Sequence, residues 1–261
     1  IGTIYPIFTQ VLYNTKISVG PPFYNTVIAP IIIPFLIMMA IGPKIGWIKQ
    51  KYKNIKSLIL ILILSCIINY LIFSFFKSYN LFSNLIVISS LFLIIHSIKD
   101  FIVNTKTKSY YNLPSFLSHI GFGILMLFII LNHNFSKEYD LNIKVGETKK
   151  IDNIEIEFKD LKIKKRENYN VIIGNFNIID LKKNYQRNLN PEIRIYDNPQ
   201  TLTFESAIKT NLKQDLYLTM SNIDGSDFYN VKFQIKPFML WIWLAAFLTA
   251  SGGLLRTFLK K

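Results

Sequence analysis

Hydrophobic positions follow two different patterns along this chain. Up to Leu131, and again from Pro237, apolar residues run together without charge; between those limits they alternate with polar ones. An uncharged apolar run of about 20 residues is what a helix needs to cross a bilayer core. Runs of this kind predict spans at about Thr26–Ile41, Ser57–Phe76, Leu81–Ile98, Ser115–Leu131 and Pro237–Leu255. The first ends at Gly42-Pro43, and the fourth is introduced by Pro114, near a first turn where a missing N–H does little harm. Ahead of them, residues 1–26 carry Gly20-Pro21-Pro22 among the aromatics Tyr5, Phe8, Tyr13, Phe23 and Tyr24. Such breakers predict an interfacial loop with aromatic anchoring. Between 134 and 236, Ile154, Ile156 and Phe158 alternate strictly with polar residues, then the pattern slips by one before Leu161 and Ile163, as at a bulge. VIIGNFNIID, EIRIYD, LTFESAI, LYLTM and FYNVKFQIK read the same way, so this region is a β-rich domain, sandwich or barrel.

The expected fold is an α-helical membrane protein: about five transmembrane helices with an inserted β-rich extracytoplasmic domain. Its parts are a loop at 1–26, a four-helix membrane region at 27–132, the β-rich domain at 133–236, and a last helix with a basic tail at 237–261.

Charge turns this pattern into a topology. The chain has 261 residues, 51% of them hydrophobic, and a net charge of +14. High hydrophobicity excludes disorder. Of the 30 basic residues, 17 lie in 134–236 beside 15 acidic ones, so that domain is nearly neutral. The other 13 flank the apolar runs, opposed only by Asp100. Basic residues beside spans orient a protein in lipid and are not a nucleic-acid footprint. With the first segment outside, 11 of those 13 fall on the inner side, and the β domain is expected outside. A single cysteine, Cys66, rules out an internal disulfide, a CxxC redox motif and a CxxCH haem attachment site. The opening IGTIYPIF has no basic n-region, so no cleavable signal peptide is expected.

Candidate chemistry centres on His119. An ionisable residue inside a span is a functional candidate by default. Ser115, His119, Gly123 and Met126 share one helix face, and a glycine one turn on would leave a flat recess beside the imidazole, room for a metal or a haem. The alternative is a histidine bonded to a neighbouring helix, with Gly121 and Gly123 serving close helix packing. His96 has Asp100 at i+4, the spacing of a helix-end charge pair. His133 reads as solvated or facing headgroups, Trp241 and Trp243 as an aromatic belt, and Glu205 as structural. Lys236-Pro237 suits either an anionic group or helix entry. No nucleophile set, P-loop or paired-carboxylate spacing is present, so no catalytic residue is assigned.

GTIYPIF, ISVGPPFYN, SHIGFGIL, PEIRIYDNPQTLTFESAI, DLYLTM and KPFMLWIWLAAFLTASGGLL, taken in order across the whole chain, resemble the C-terminal portion of the CcmF/NrfE family of cytochrome c haem lyases. The resemblance implies a cytochrome c-type biogenesis role as a haem lyase subunit, in a bacterial or mitochondrial inner membrane. It implies an intramembrane haem b with two histidine ligands, one of them in the family's (A/S)H-x-G segment, which His119 matches. The implied partners are apocytochrome c, a CcmE-like haem chaperone, a CcmH-like subunit and the N-terminal half of CcmF, beside membrane lipid. The family's tryptophan-rich WWD segment, its periplasmic haem histidines and the second transmembrane ligand have no counterpart here. His96 and His133 stand in no matching motif. The chain is therefore expected to be a fragment or one piece of a split protein, and inactive alone. The charge count places His119 nearer the inner face, and the resemblance implies that it is half of a buried redox site there.

Overall fold

The computed structural model describes residues 4–14, 20–44, 55–76, 80–105, 113–182 and 185–259. The chain divides into two compact units, Ile1–Asn134 with Ile242–Lys261, and Phe135–Trp241.

The first unit is helical: α1 (Tyr5–Tyr13), α2 (Pro21–Ile41), α3 (Ile55–Phe76), α4 (Leu81–Thr105), α5 (Leu113–Phe135) and α6 (Met239–Phe258). Among the described residues, four helices are long and apolar enough to cross a membrane: Ile55–Ser74, Leu81–Val103, Leu113–Phe135 and Met239–Phe258. Val27–Ile41, within α2, is a shorter apolar helical segment. The pattern of burial is that of a protein in lipid. On α3, Ile59, Leu60, Ile63, Ile67 and Leu71 are exposed, while Ser65 and Asn69 are buried. Asn69 Nδ2 donates to Asn84 Oδ1 of α4 at 2.8 Å, and Ser65 Oγ bonds back to Ile61 O at 2.8 Å. Apolar outside and polar between helices is how helices associate where lipid is as apolar as leucine. α4 is the hub of the unit, with Ile86, Val87, Leu91, Phe92 and Leu93 all buried.

Two sequence expectations are corrected here. The stretch 1–26, read as a loop, carries α1 and the first residues of α2. Pro21 and Pro22 occupy the opening positions of α2, where the fixed φ of proline starts a helix instead of breaking one. Lys99 and Asp100, beyond the span expected to end at Ile98, lie inside α4, which continues to Thr105. Charges alone do not end a helix when each finds a partner: Lys99 Nζ donates to Ser57 Oγ of α3, and Asp100 pairs with His96 one turn back. Lys106 and Lys108 lie outside the described residues, as does the basic run from Ile45 to Asn54.

The second unit resolves the choice between sandwich and barrel. Its strands are β1 (Lys137–Ile143), β2 (Thr148–Ile151), β3 (Ile154–Lys165), β4 (Tyr169–Asp180), β5 (Tyr185–Leu189), β6 (Glu192–Asp197), β7 (Gln200–Glu205), β8 (Ala207–Thr210), β9 (Gln214–Asn222) and β10 (Tyr229–Pro237). They form two antiparallel sheets, ordered β1-β10-β9-β8 and β2-β3-β4-β6-β7, with β5 also paired to β4. The inward residues Ile156, Phe158, Phe176, Ile193, Leu218, Met220, Val231 and Phe233 make one core. Phe158 and Phe176 stack at 4.1 Å between centroids. The slip in the sequence is a bulge: the β3–β4 register shifts between Phe158 and Asp160, which returns Leu161 to the core side. At Gly174 a Cβ would lie 2.6 Å from the Phe176 ring and 2.8 Å from Met220 Sδ, so no larger residue fits that approach. β7 and β8, joined through Ser206, each end their sheet's strand order and leave Leu202, Phe204 and Ile208 exposed.

Candidate functional site

His119 lies in α5, and glycines fix where that helix sits. A Cβ at Gly121 would be 2.7 Å from Thr249 N, and one at Gly252 would be 2.6 Å from Ser118 N and 2.7 Å from Pro114 O. Backbone meets backbone there, so α5 and α6 touch through small residues, assisted by Ser118 Oγ donating to Thr249 O at 3.4 Å. On the other side, a Cβ at Gly123 would be 2.8 Å from Ile94 Cγ1 and 3.4 Å from Ser90 O of α4. Phe116 stacks on Phe101 of α4 at 4.2 Å, and Phe122 meets Phe35 of α2 edge-on at 5.7 Å. Met126 packs against the cluster formed by α2, α3 and α4.

These contacts decide between the two sequence readings of the glycines. Gly121 and Gly123 serve helix packing, and the recess expected beside the imidazole at Gly123 is filled by Ile94, because the glycine lets α4 close onto it. His119 itself is half-buried, and no described residue makes a hydrogen bond to it. Among the described residues, Asp100 is the charged group whose field reaches it. A half-buried ring whose nitrogens no described residue claims has the donor chemistry of a single axial haem ligand. Among the described residues no three His, Cys, Asp or Glu side chains gather as an all-protein metal site.

The other histidines separate clearly. His96 is 2% exposed, stacks on Phe92 at 6.0 Å, and places Nδ1 3.4 Å from Asp100 Oδ2. The i, i+4 charge pair is thus present, and it belongs to the most buried histidine, a depth the spacing alone did not reveal. His133 is exposed near the end of α5. Trp243 is 68% exposed, as an aromatic-belt residue would be, whereas Trp241 Nε1 donates to Leu212 O at 2.9 Å.

The β unit has its own polar features. Lys236 Nζ sits 4.6 Å from the Tyr217 ring centre, and Lys236 pairs across strands with Asp215. Burial pushes the Asp215 carboxyl up from the ordinary aspartate range, opposed by hydrogen bonds with Thr210 and Tyr217. Lys236 is thereby engaged inside the domain. Glu205 lies 3.9 Å from Arg194, which also makes a 2.8 Å ion pair with Glu192 and lies over the Tyr169 ring. Its structural reading is what these contacts describe. The residue missed by sequence reasoning is Asp100 in its relation to His119. The signal was available only through the antiparallel pairing of α4 and α5.

A family model described as the CcmF C-terminal beta-sandwich matches residues 134–237. The chain is 28% identical to the cytochrome c-type biogenesis protein CcmF of Haemophilus influenzae, over 100% of this chain and 42% of that protein. It is 24% identical to CcmF of Pseudomonas aeruginosa, over 98% of this chain and 40% of that protein. A solved structure titled cytochrome c heme lyase CcmF superposes with a TM-score of 0.77 at 17% identity, covering 97% of this chain and 41% of that one, which shows a shared fold. The chain spans about two fifths of the length of these relatives. The similarity to CcmF proteins thus runs the whole length of the chain, and residues 134–237 match the β-sandwich of their C-terminal part.

Proposed function

We propose that the chain is part of a cytochrome c haem lyase, and that His119 is one axial ligand of an intramembrane haem b. The observation that carries this reading is the match to CcmF proteins over essentially the whole chain, which includes the helix of His119. The half-buried ring of His119, free of hydrogen bonds from the described residues, supports the ligand role. When bound, the haem b supplies a one-electron redox centre. The chain's own part is to hold the imidazole at a fixed height in the membrane, through the Gly121, Gly123 and Gly252 contacts. The second ligand then comes from the upstream part of the protein.

The reaction served is addition of the two thiols of a CxxCH segment across the two haem vinyl groups. Two thioether bonds form and nothing leaves, so the protein must position haem and acceptor and keep the iron reduced. The partners are apocytochrome c, a CcmE-like haem chaperone, a CcmH-like subunit and the N-terminal half of CcmF. The membrane is a bacterial or mitochondrial inner membrane, and the β unit faces the periplasm or intermembrane space. That side is supported by the placement of 11 of the 13 basic residues outside 134–236 on the opposite face. The test is reconstitution of the complete assembly with and without this chain, followed by haem staining of a CxxCH acceptor. Loss of covalent haem without the chain is expected; undiminished attachment refutes the reading.

One observation favours a non-catalytic alternative, a scaffold that docks apocytochrome or the haem chaperone. The β unit has a complete core of its own and exposes Leu202, Phe204 and Ile208 at its β7 and β8 edges. A scaffold predicts normal haem content in His119→Ala and lost partner binding when the β unit is deleted.

A further inference from the structure

Two contacts set the level of α4 against α5. Phe101 stacks on Phe116, and Ser90 with Ile94 closes on Gly123. The helices therefore run antiparallel, and each rises by the same amount per residue. Three residues on from Phe116 is His119; the matching step back from Phe101 arrives at the turn His96–Asp100. His119 shares its face with Gly123 and Met126, the face that packs toward α4. His119 thus lies level with the turn that carries Asp100, the one acidic residue outside 134–236.

Asp100 is held there by specific contacts. The fully buried His96 places Nδ1 3.4 Å from its carboxylate, and the stack on Phe92 fixes the His96 ring. The neighbouring Lys99 turns to α3, where it donates to Ser57. A carboxylate in a membrane is expensive unless something uses it, and such residues mark function by default. A fixed carboxylate near a ligating imidazole acts on the metal through its charge.

Resting on the ligand reading of His119, we infer that Asp100, anchored by His96, is a positioning residue that acts on His119 and lowers the reduction potential of the iron it ligates. A fixed negative charge near the ligand favours the ferric state, which carries one more positive charge than the ferrous state. This lower potential makes the site a stronger donor of electrons, which suits a centre that must keep an incoming haem reduced.

The test is a redox titration of the haem b absorption band in the assembled protein carrying Asp100→Asn. A shift of the midpoint to higher potential is expected, with haem content and the reduced spectrum retained, while Asp100→Glu stays near the parent value. An unchanged midpoint in the Asn variant overturns the proposal, and so does an equal shift in the Glu variant, which would reflect packing. If the Asn variant does not accumulate with haem, the smaller Asp100→Ser gives the same reading. Haem lost from both neutral variants while the protein still accumulates would make Asp100 a packing residue and overturn the proposal as well. His119→Ala is measured alongside: if it retains its haem b band, the ligand reading itself fails, an outcome distinct from a flat response at Asp100.

Discussion

Adjacent glycines in α6 provide opposite predictions from a single type of substitution. At Gly252 an added methyl would lie 2.6 Å from Ser118 N and 2.7 Å from Pro114 O, against an ordinary contact distance that begins at 3.4 Å. Both obstacles are backbone, so relief requires α5 and α6 to part by about 0.8 Å, and close-packed interiors resist such shifts. Overpacking of this kind costs about 1–3 kcal/mol. At Gly253 nothing lies within 4 Å of the new methyl, and alanine is preferred to glycine in a helix interior by about 0.5–1 kcal/mol. Gly252→Ala should therefore destabilise the helical unit, while Gly253→Ala should be neutral to stabilising. Denaturant titration of the protein in detergent micelles, followed by circular dichroism, measures both. Equal effects, or a Gly252 variant as stable as the parent, would show that α5 and α6 do not meet at these backbones.

Further predictions concern the β unit. Phe158→Ala removes a ring that is fully buried and stacked on Phe176, and should cost about 3–5 kcal/mol, read as a lowered unfolding midpoint. Tyr139 donates to Asp152 Oδ2 at 2.8 Å, and burial together with that carboxylate pushes its phenol up to about 12. Between pH 10 and about 12 the folded state keeps this proton while the unfolded chain loses it, so stability falls as pH rises through that window. Tyr139→Phe should flatten that part of the alkaline unfolding curve, and an unaltered slope would remove Tyr139 as its source. Asp215, also raised by burial, works at the acid end: its ionised form is disfavoured in the fold. Asp215→Asn should therefore help most near neutral pH, with the gain shrinking as pH falls toward the ordinary aspartate range.

Much of this was legible in the sequence wherever one residue type dictates its own surroundings. Uncharged runs marked the membrane helices, and strict alternation with one slip marked β3 and its bulge after Phe158. Local signals misled where a residue has two uses. Proline breaks helices in their interior but opens them at their start, and Pro21-Pro22 does the second. Lys99 and Asp100 fell beyond the expected span because charge ends an apolar run, although Ser57 of α3 and His96 of α4 partner them. What stayed hidden was set by contacts between elements. The choice of sandwich over barrel depends on which strands pair across long separations. The roles of Gly121, Gly123 and Gly252 depend on which helix stands opposite. The level of Asp100 against His119 follows only once Phe101 is known to stack on Phe116.

The central claim is that His119 ligates a haem b, and one measurement addresses it directly. The reduced-minus-oxidised optical spectrum of the assembled protein is recorded for the parent and for His119→Ala. The claim predicts loss of the haem b band in the variant at unchanged protein level. A band of undiminished intensity and position would contradict it.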